Sequence, residues 1–134
     1  MLSSEDGGHV SFDPIGILVD PGTVIRWIVR QNVHTATAYH PANDRPLRIP
    51  KNAVPWDSDY LINPGDTFET ILTVKGTYDY FCAPHEAAGM VGRIIVGEPT
   101  GMGNGGFAEQ EVPVAAINGF PSVKAIVENR VVRK

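Results

Sequence analysis

The sequence is poor in the features that usually assign a chain to a functional class. Its 134 residues include one cysteine, Cys82, so an intrachain disulfide and any metal centre built on two cysteines of this chain are excluded. No apolar stretch is long enough to cross a bilayer. Lysine and arginine do not cluster before the last residues, and the net charge is −4, which argues against a surface that follows nucleic-acid phosphates.

The first residues also lack the layout of a secretory signal. Met1 to Ser4 are followed by acidic and glycine residues, with neither a basic start nor an apolar core. Two interpretations stay open on this evidence alone. Either the protein is cytoplasmic, or a leader or anchor has been removed.

Glycine and proline are abundant, with 14 and 11 residues, while charged residues make up 19% of the chain. This composition favours short strands joined by tight turns, and the length fits one domain with its own core. Strand-forming runs flank a turn at Asp20–Gly22 and recur over 67–74, 77–81 and 92–96. Residues 41–56 carry four prolines and are predicted to form a long surface loop. The fold class is therefore all-β, an antiparallel sandwich or barrel.

The chain divides into a main domain over residues 1–97 and an extension over 98–134. Glycine is dense from Gly97 to Gly106, which indicates a connector. Beyond it, Ser122 is predicted to cap a short helix that runs to about Val132. We expect this extension to pack on the same domain.

The chemically informative residues lie within one stretch of nine. Cys82, His85 and Met90 follow each other in the order Cys-x2-His-x4-Met, after a predicted strand. A soft thiolate, an imidazole and a weak thioether are donors that copper in both of its common oxidation states can share. A turn through Pro84 and Gly89 would bring these donors round one point.

A second imidazole would complete a trigonal set with a long axial methionine. His34 is the best candidate, because it lies at the end of the apolar run Val24 to Val29. A strand formed by this run, next to the one that ends at Cys82, would bring His34 to the same end of the sandwich. His40 lies six residues further along and remains a competitor for this role, or for a secondary one near the site. A lone cysteine in a β-domain is more often a small buried hydrophobe, so its neighbours decide the interpretation.

Three segments, His34–Thr35, Gly76–His85 and Gly89–Val96, resemble the type 1 copper proteins, the cupredoxins, and within them the plastocyanin, halocyanin and pseudoazurin group. The resemblance implies a Greek-key β-sandwich with one type 1 copper per chain. It implies His34, Cys82 and His85 as equatorial ligands and Met90 as the weak axial one. Many members have Asn where this chain has Thr35, whose backbone or hydroxyl would then have to brace the ligand loops.

The resemblance also implies an electron carrier that meets redox partner proteins transiently, and not an enzyme. We expect a monomer in an extracytoplasmic setting, the periplasm or the outer face of the plasma membrane, with no nucleic-acid partner. Acidic residues (Asp44, Asp57, Asp59 and Glu86) are expected to steer a basic partner. The alternatives are a copper carrier or storage protein, and a subunit of a copper oxidase or nitrite reductase.

Overall fold

The computed structural model describes residues 1–3, 9–99 and 111–134, so the predicted connector lies outside the described residues from residue 100 onwards. The strands of this part of the chain are β1 (Leu2–Ser3), β2 (Val10–Ser11), β3 (Gly16–Val19), β4 (Thr23–Ile28), β5 (Thr37–Ala38), β6 (Thr67–Leu72), β7 (Gly76–Phe81), β8 (Val91–Val96) and β9 (Val131–Val132). Its helices are two 3₁₀ helices, Pro41–Asn43 and Ala83–Ala88, and two α-helices, α1 (Val114–Gly119) and α2 (Val123–Asn129). Within these ranges no helix has the length and apolar character needed to cross a bilayer.

The larger sheet has five strands in the order β5-β7-β8-β3-β9, and β4 pairs with β6 in a smaller one. Pairing is antiparallel except between β3 and β8, which run parallel. The turn at Asp20–Gly22 is a corner between the sheets, because β3 and β4 belong to different ones. Gly22 adopts a φ of 89° there, and its N–H donates to the carbonyl of Leu72 in β6. The predicted all-β sandwich with a C-terminal helical extension is confirmed.

The core lies on the inner faces of the two sheets. Burial alternates along β4, so Ile25 and Trp27 point inward while their neighbours are more exposed. Tyr80 of β7 makes edge contacts with Trp27 at 5.2 Å and with Phe12 at 4.7 Å between ring centroids. These aromatic contacts anchor the strand that leads into Cys82.

The proline-rich segment, residues 41–56, forms no strand, as predicted, but it is not confined to the surface. Ile49 is fully buried, and Trp56 packs on Trp27 with ring centroids 5.7 Å apart. The prediction of a surface loop was therefore wrong for these residues. Their apolar side chains close one side of the core.

The C-terminal residues cover the outer face of the larger sheet. Every residue of β7 is buried, although only alternate ones face the sandwich core. Phe81, on the outer face, joins an apolar cluster with Tyr39 and with Ala116 of α1. Ile126 of α2 sits so close to Gly16 of β3 that a Cβ there would lie 2.8 Å from it.

The predicted C-terminal helix begins where expected and ends early. Ser122 caps α2 by accepting a hydrogen bond from the Ala125 N–H at 3.0 Å. The helix ends at Asn129, because Arg130 takes a φ of 63° and the next two residues form β9 against β3. Helix α1 was not predicted, since its six residues end in a glycine and offer little helical periodicity.

Candidate metal centre

Three predicted ligands meet at one end of the sandwich. One donor atom from each of His34, Cys82 and His85 lies within 4.8 Å of the other two. The Cys82 sulfur is 3.6 Å from Nδ1 of His34 and 3.3 Å from Nδ1 of His85. His34 and Cys82 are fully buried, and His85 is half-buried. One imidazole from 48 positions away in the chain and one from three positions away thus lie against the same thiol.

The segment from Cys82 to Met90, called here the 82–90 loop, is closed by its own backbone. The N–H of Cys82 donates to the Met90 carbonyl at 3.0 Å, and the N–H of Met90 donates to the His85 carbonyl at 3.1 Å. Gly89 turns the chain back with a φ of 86°. The Met90 side chain is fully buried. These bonds fix the backbone of Met90, the fourth predicted ligand, relative to Cys82 and His85.

Thr35 braces the 82–90 loop from the neighbouring segment with both of its polar groups. Its backbone N–H points at the Cys82 sulfur at 3.4 Å. Its hydroxyl oxygen accepts the N–H of Ala83 at 2.8 Å and lies 2.9 Å from the Thr37 hydroxyl, which donates to Asp57. The prediction that Thr35 would brace the ligand loops is confirmed. A threonine hydroxyl can serve here because it reaches a backbone donor of the loop.

His34 is held on its far side as well. Its backbone exchanges hydrogen bonds with Leu61, at 3.2 Å and 2.9 Å, in an isolated antiparallel bridge. Its Nε2 atom lies 3.1 Å from the hydroxyl oxygen of Ser3 in β1. The sequence did not reveal Ser3, because a serine near a chain end carries no distinguishing pattern.

His40, the other candidate histidine, caps a helix instead of joining the metal site. Nδ1 of His40 accepts a hydrogen bond from the Ala42 N–H at 2.9 Å and so caps the 3₁₀ helix Pro41–Asn43. The imidazole does not belong to the group formed by His34, Cys82 and His85. Between the two candidates left by the sequence, the structure brings only His34 to the thiol.

The environment keeps both imidazoles neutral. The pKa of His34 is lowered from 6.5 to about 4, first by burial and then by the nearby His85, against a backbone hydrogen bond with Gln31 that raises it. Burial also lowers the pKa of His85. Burial raises the pKa of Cys82 to about 11, although hydrogen bonds with Thr35 and His85 oppose this. At neutral pH the nitrogen lone pairs are therefore free, and the thiol keeps its proton until a metal displaces it.

This donor set fits a soft, nitrogen- and sulfur-binding ion. Two neutral imidazoles and one thiol face each other in a site where no carboxylate is close enough to join them, among the residues described. Hard cations such as Mg²⁺ and Ca²⁺ prefer oxygen, whereas imidazole and thiolate suit copper. Glu86 lies in the same loop but is buried, and it accepts hydrogen bonds from Tyr39 and Arg45.

Comparison with known proteins decides the family. The sequence model described as copper binding proteins, plastocyanin/azurin family, matches residues 1–97. The chain belongs to this family of copper proteins. A plastocyanin of Lactuca sativa is 35% identical over 98 residues, which are 72% of this chain and 96% of the relative. Plastocyanin A'/A'' of Nicotiana tabacum is 32% identical over 97 residues, with the same coverage.

A solved structure supports the fold of this cupredoxin over nearly its whole length. A pseudoazurin of Sinorhizobium meliloti aligns with 94% of this chain and 90% of its own, with a TM-score of 0.64 and 24% identity. The cofactor is copper, and the relatives are electron carriers rather than enzymes. The function of the chain is accordingly copper electron transfer with redox partner proteins.

Proposed function

We propose that the cupredoxin carries single electrons through one type 1 copper, with Nδ1 of His34, Sγ of Cys82 and Nδ1 of His85 as close ligands. Met90, whose side chain is buried, would supply the fourth and weakest ligand, a thioether sulfur. The observation that carries this proposal is the convergence of three donor atoms within 4.8 Å at the mouth of the 82–90 loop. When bound there, copper supplies the reversible change between its cuprous and cupric states.

The surrounding residues keep the ligands still, which an electron carrier needs because every rearrangement adds to the barrier. Cys82 is tied to Met90 through the backbone, and its sulfur accepts the Thr35 N–H at 3.4 Å. His34 is held between Leu61 and Ser3. A donor N–H on the sulfur and an acceptor on the outer imidazole nitrogen are contacts that tune and orient metal ligands.

We propose that electrons enter and leave at His85. Its imidazole is half-buried, and Ala83, Pro84, Ala87 and Ala88 in the same loop are exposed. A small apolar rim of this kind suits a brief contact with a redox partner.

Exposed acidic residues (Asp44, Asp57 and Asp59) line a groove that reaches Ala83 of the 82–90 loop, and they steer a basic partner in this proposal. The expectation for Glu86 was wrong, because its carboxylate is buried against Tyr39 and Arg45. Electron-transfer rates that stay constant from low to high salt would contradict steering.

The spectrum and potential of the copper-loaded protein test the ligand set. We expect one copper per chain, an intense visible band from the Cu(II)–thiolate pair, and reversible one-electron cycling. Cys82→Ser and His34→Gln should abolish the band, while His40→Gln, the matched control, should keep it. Met90→Leu should keep the band and raise the reduction potential, because the cupric form loses a donor.

Other results would point to the alternatives. More than one copper per chain would favour a subunit of an oxidase or nitrite reductase. Weak, readily exchanged copper without reversible cycling would favour a carrier or storage protein.

We further propose that residues 1–97 form the copper-binding unit, that residues 98–134 pack on it, and that the protein is a monomer. Contacts of Ala116 with Phe81 and of Ile126 with Gly16 support the packing. We also propose an extracytoplasmic location, the periplasm or the outer face of the plasma membrane. Sedimentation of the purified chain tests the monomer, and immunodetection in fractionated source cells tests the location.

A further inference from the structure

Helix α1 lies directly against the 82–90 loop. A Cβ on Gly89 would stand 2.9 Å from the carbonyl oxygen of Ala115, and a Cβ on Gly119 would stand 2.8 Å from the carbonyl oxygen of Gly89. Real Cβ atoms do not approach backbone oxygens so closely without displacement. Two glycines therefore allow the helix and the loop to meet at backbone distance.

The point of contact is the residue next to Met90. Gly89 precedes it in the chain, and its own N–H donates to the Glu86 carbonyl at 2.9 Å. Its φ of 86° also leaves little freedom for another residue type there. A displacement of Gly89 would thus move the Met90 backbone, which forms hydrogen bonds with the backbone of Cys82 and His85.

Helix α1 is itself held in place from two sides. Ala116, in its middle, is fully buried within the apolar cluster that contains Phe81. Phe120, just after its last residue, lies under the guanidinium groups of Arg48 and Arg93, which are 4.9 Å and 5.0 Å from the ring centroid. A methyl group added at the face of α1 that meets the loop would therefore displace the loop as well as the helix.

We propose that Ala115 and Gly119 of α1 are positioning residues for the copper site: their backbone contacts hold Gly89, and through it the Met90 thioether, at a fixed place. The proposal rests on the assignment of Met90 as the axial ligand. A thioether is a weak ligand, so the packing of the loop would set how close its sulfur lies to a bound copper ion. In copper sites of this kind the axial ligand tunes the reduction potential.

Gly119→Ala in the copper-loaded full chain is the main test. The added methyl meets the Gly89 carbonyl at 2.8 Å and Cγ2 of Val91 at 3.0 Å. We expect altered visible and electron paramagnetic resonance spectra and at least a threefold change in the ratio of Cu(I) to Cu(II) affinity. At 59 mV per tenfold for one electron, this is a shift of about 28 mV in reduction potential.

Gly16→Ala is the matched control. It adds the same methyl group, which would lie 2.8 Å from Ile126 and 2.9 Å from Pro121, so it disturbs the same C-terminal segment at a strand away from the loop. We expect it to lower the free energy of unfolding while the spectra and the potential stay as in the wild type. Equal spectral changes in both variants would show a general loss of packing and would overturn the proposal.

Two further variants keep the outcome decisive. Phe120→Leu loosens the end of α1 without a clash, so it should also move the spectra and potential even if Gly119→Ala folds poorly. Unchanged copper spectra in the folded variants would overturn the role of α1. Met90→Leu separates the two proposals: if it leaves the potential unchanged, the axial assignment fails and this inference with it. If it shifts the potential and the α1 variants do not, only the role of α1 is wrong.

Discussion

Asp79 offers the clearest test of what holds the outer face of β7. Its carboxylate is fully buried and binds Arg48 at 3.0 Å and Arg93 at 2.7 Å and 3.0 Å. The side chains of the two arginines are only 4% and 12% exposed, so water cannot solvate their guanidinium groups unless these side chains are displaced. Asp79→Asn keeps the shape and removes the negative charge that both guanidinium groups contact. Breaking a buried pair in this way costs about 3–5 kcal/mol.

Urea unfolding of the metal-free protein measures this cost, because bound copper would add its own binding energy to the folded state. The midpoint should fall while the dependence on denaturant stays the same. Glu69→Gln is the control, since the Arg26–Glu69 pair is 60% and 46% exposed and should contribute less than about 1 kcal/mol. If Asp79→Asn costs no more than Glu69→Gln, the buried network does not stabilise the fold in the way argued here.

Two more outcomes follow from the metal site. The pKa of His34 is about 4 in the folded protein and 6.5 in the unfolded chain, so the unfolded state binds the proton first as the pH falls. The free energy of unfolding of the metal-free protein should therefore drop by about 3 kcal/mol between pH 7 and a pH below 4. Urea unfolding across this range checks it, and an equal slope in His34→Gln would refute it. Ser3→Ala removes the oxygen 3.1 Å from Nε2 of His34 and should weaken copper binding about tenfold or more, whereas Ser3→Thr should not. Competition with a chelator measures this, and equal affinities in both variants would exclude a role for the hydroxyl.

The part of the candidate site that lies in residues 82–90 could be predicted from the sequence, because its residues are close neighbours in the chain. Cys82, His85 and Met90 lie within nine residues, and a turn containing proline and glycine leaves few ways to arrange them. The choice between His34 and His40 was harder, since both follow the same apolar run. It depends on the bridge that His34 forms with Leu61, a contact between residues far apart in the sequence.

The parts that could not be predicted all depend on distant partners. Glu86 resembles an exposed acidic residue in the sequence, yet Tyr39 and Arg45, more than 40 positions earlier, enclose its carboxylate. Ser3 reaches His34 across 31 residues. Spacing and periodicity constrain neighbours in the chain, whereas these contacts arise only when separate strands are packed together.

The packing on the outer face of strand β7, which leads into the site, could not be predicted from the sequence for the same reason. Alternation along the strand predicts a buried face with Tyr80 and an outer face with Asp79, and an aspartate there suggests solvent. Instead the C-terminal extension covers that face, and the carboxylate becomes the centre of an ion network. Cys82 therefore follows a strand that is packed on both sides, by aromatic rings within the sandwich and by arginines and helices outside it. In the proposed copper site this packing restrains Cys82 when the charge of the metal changes, and fast electron transfer requires such a restraint because every rearrangement adds to the barrier.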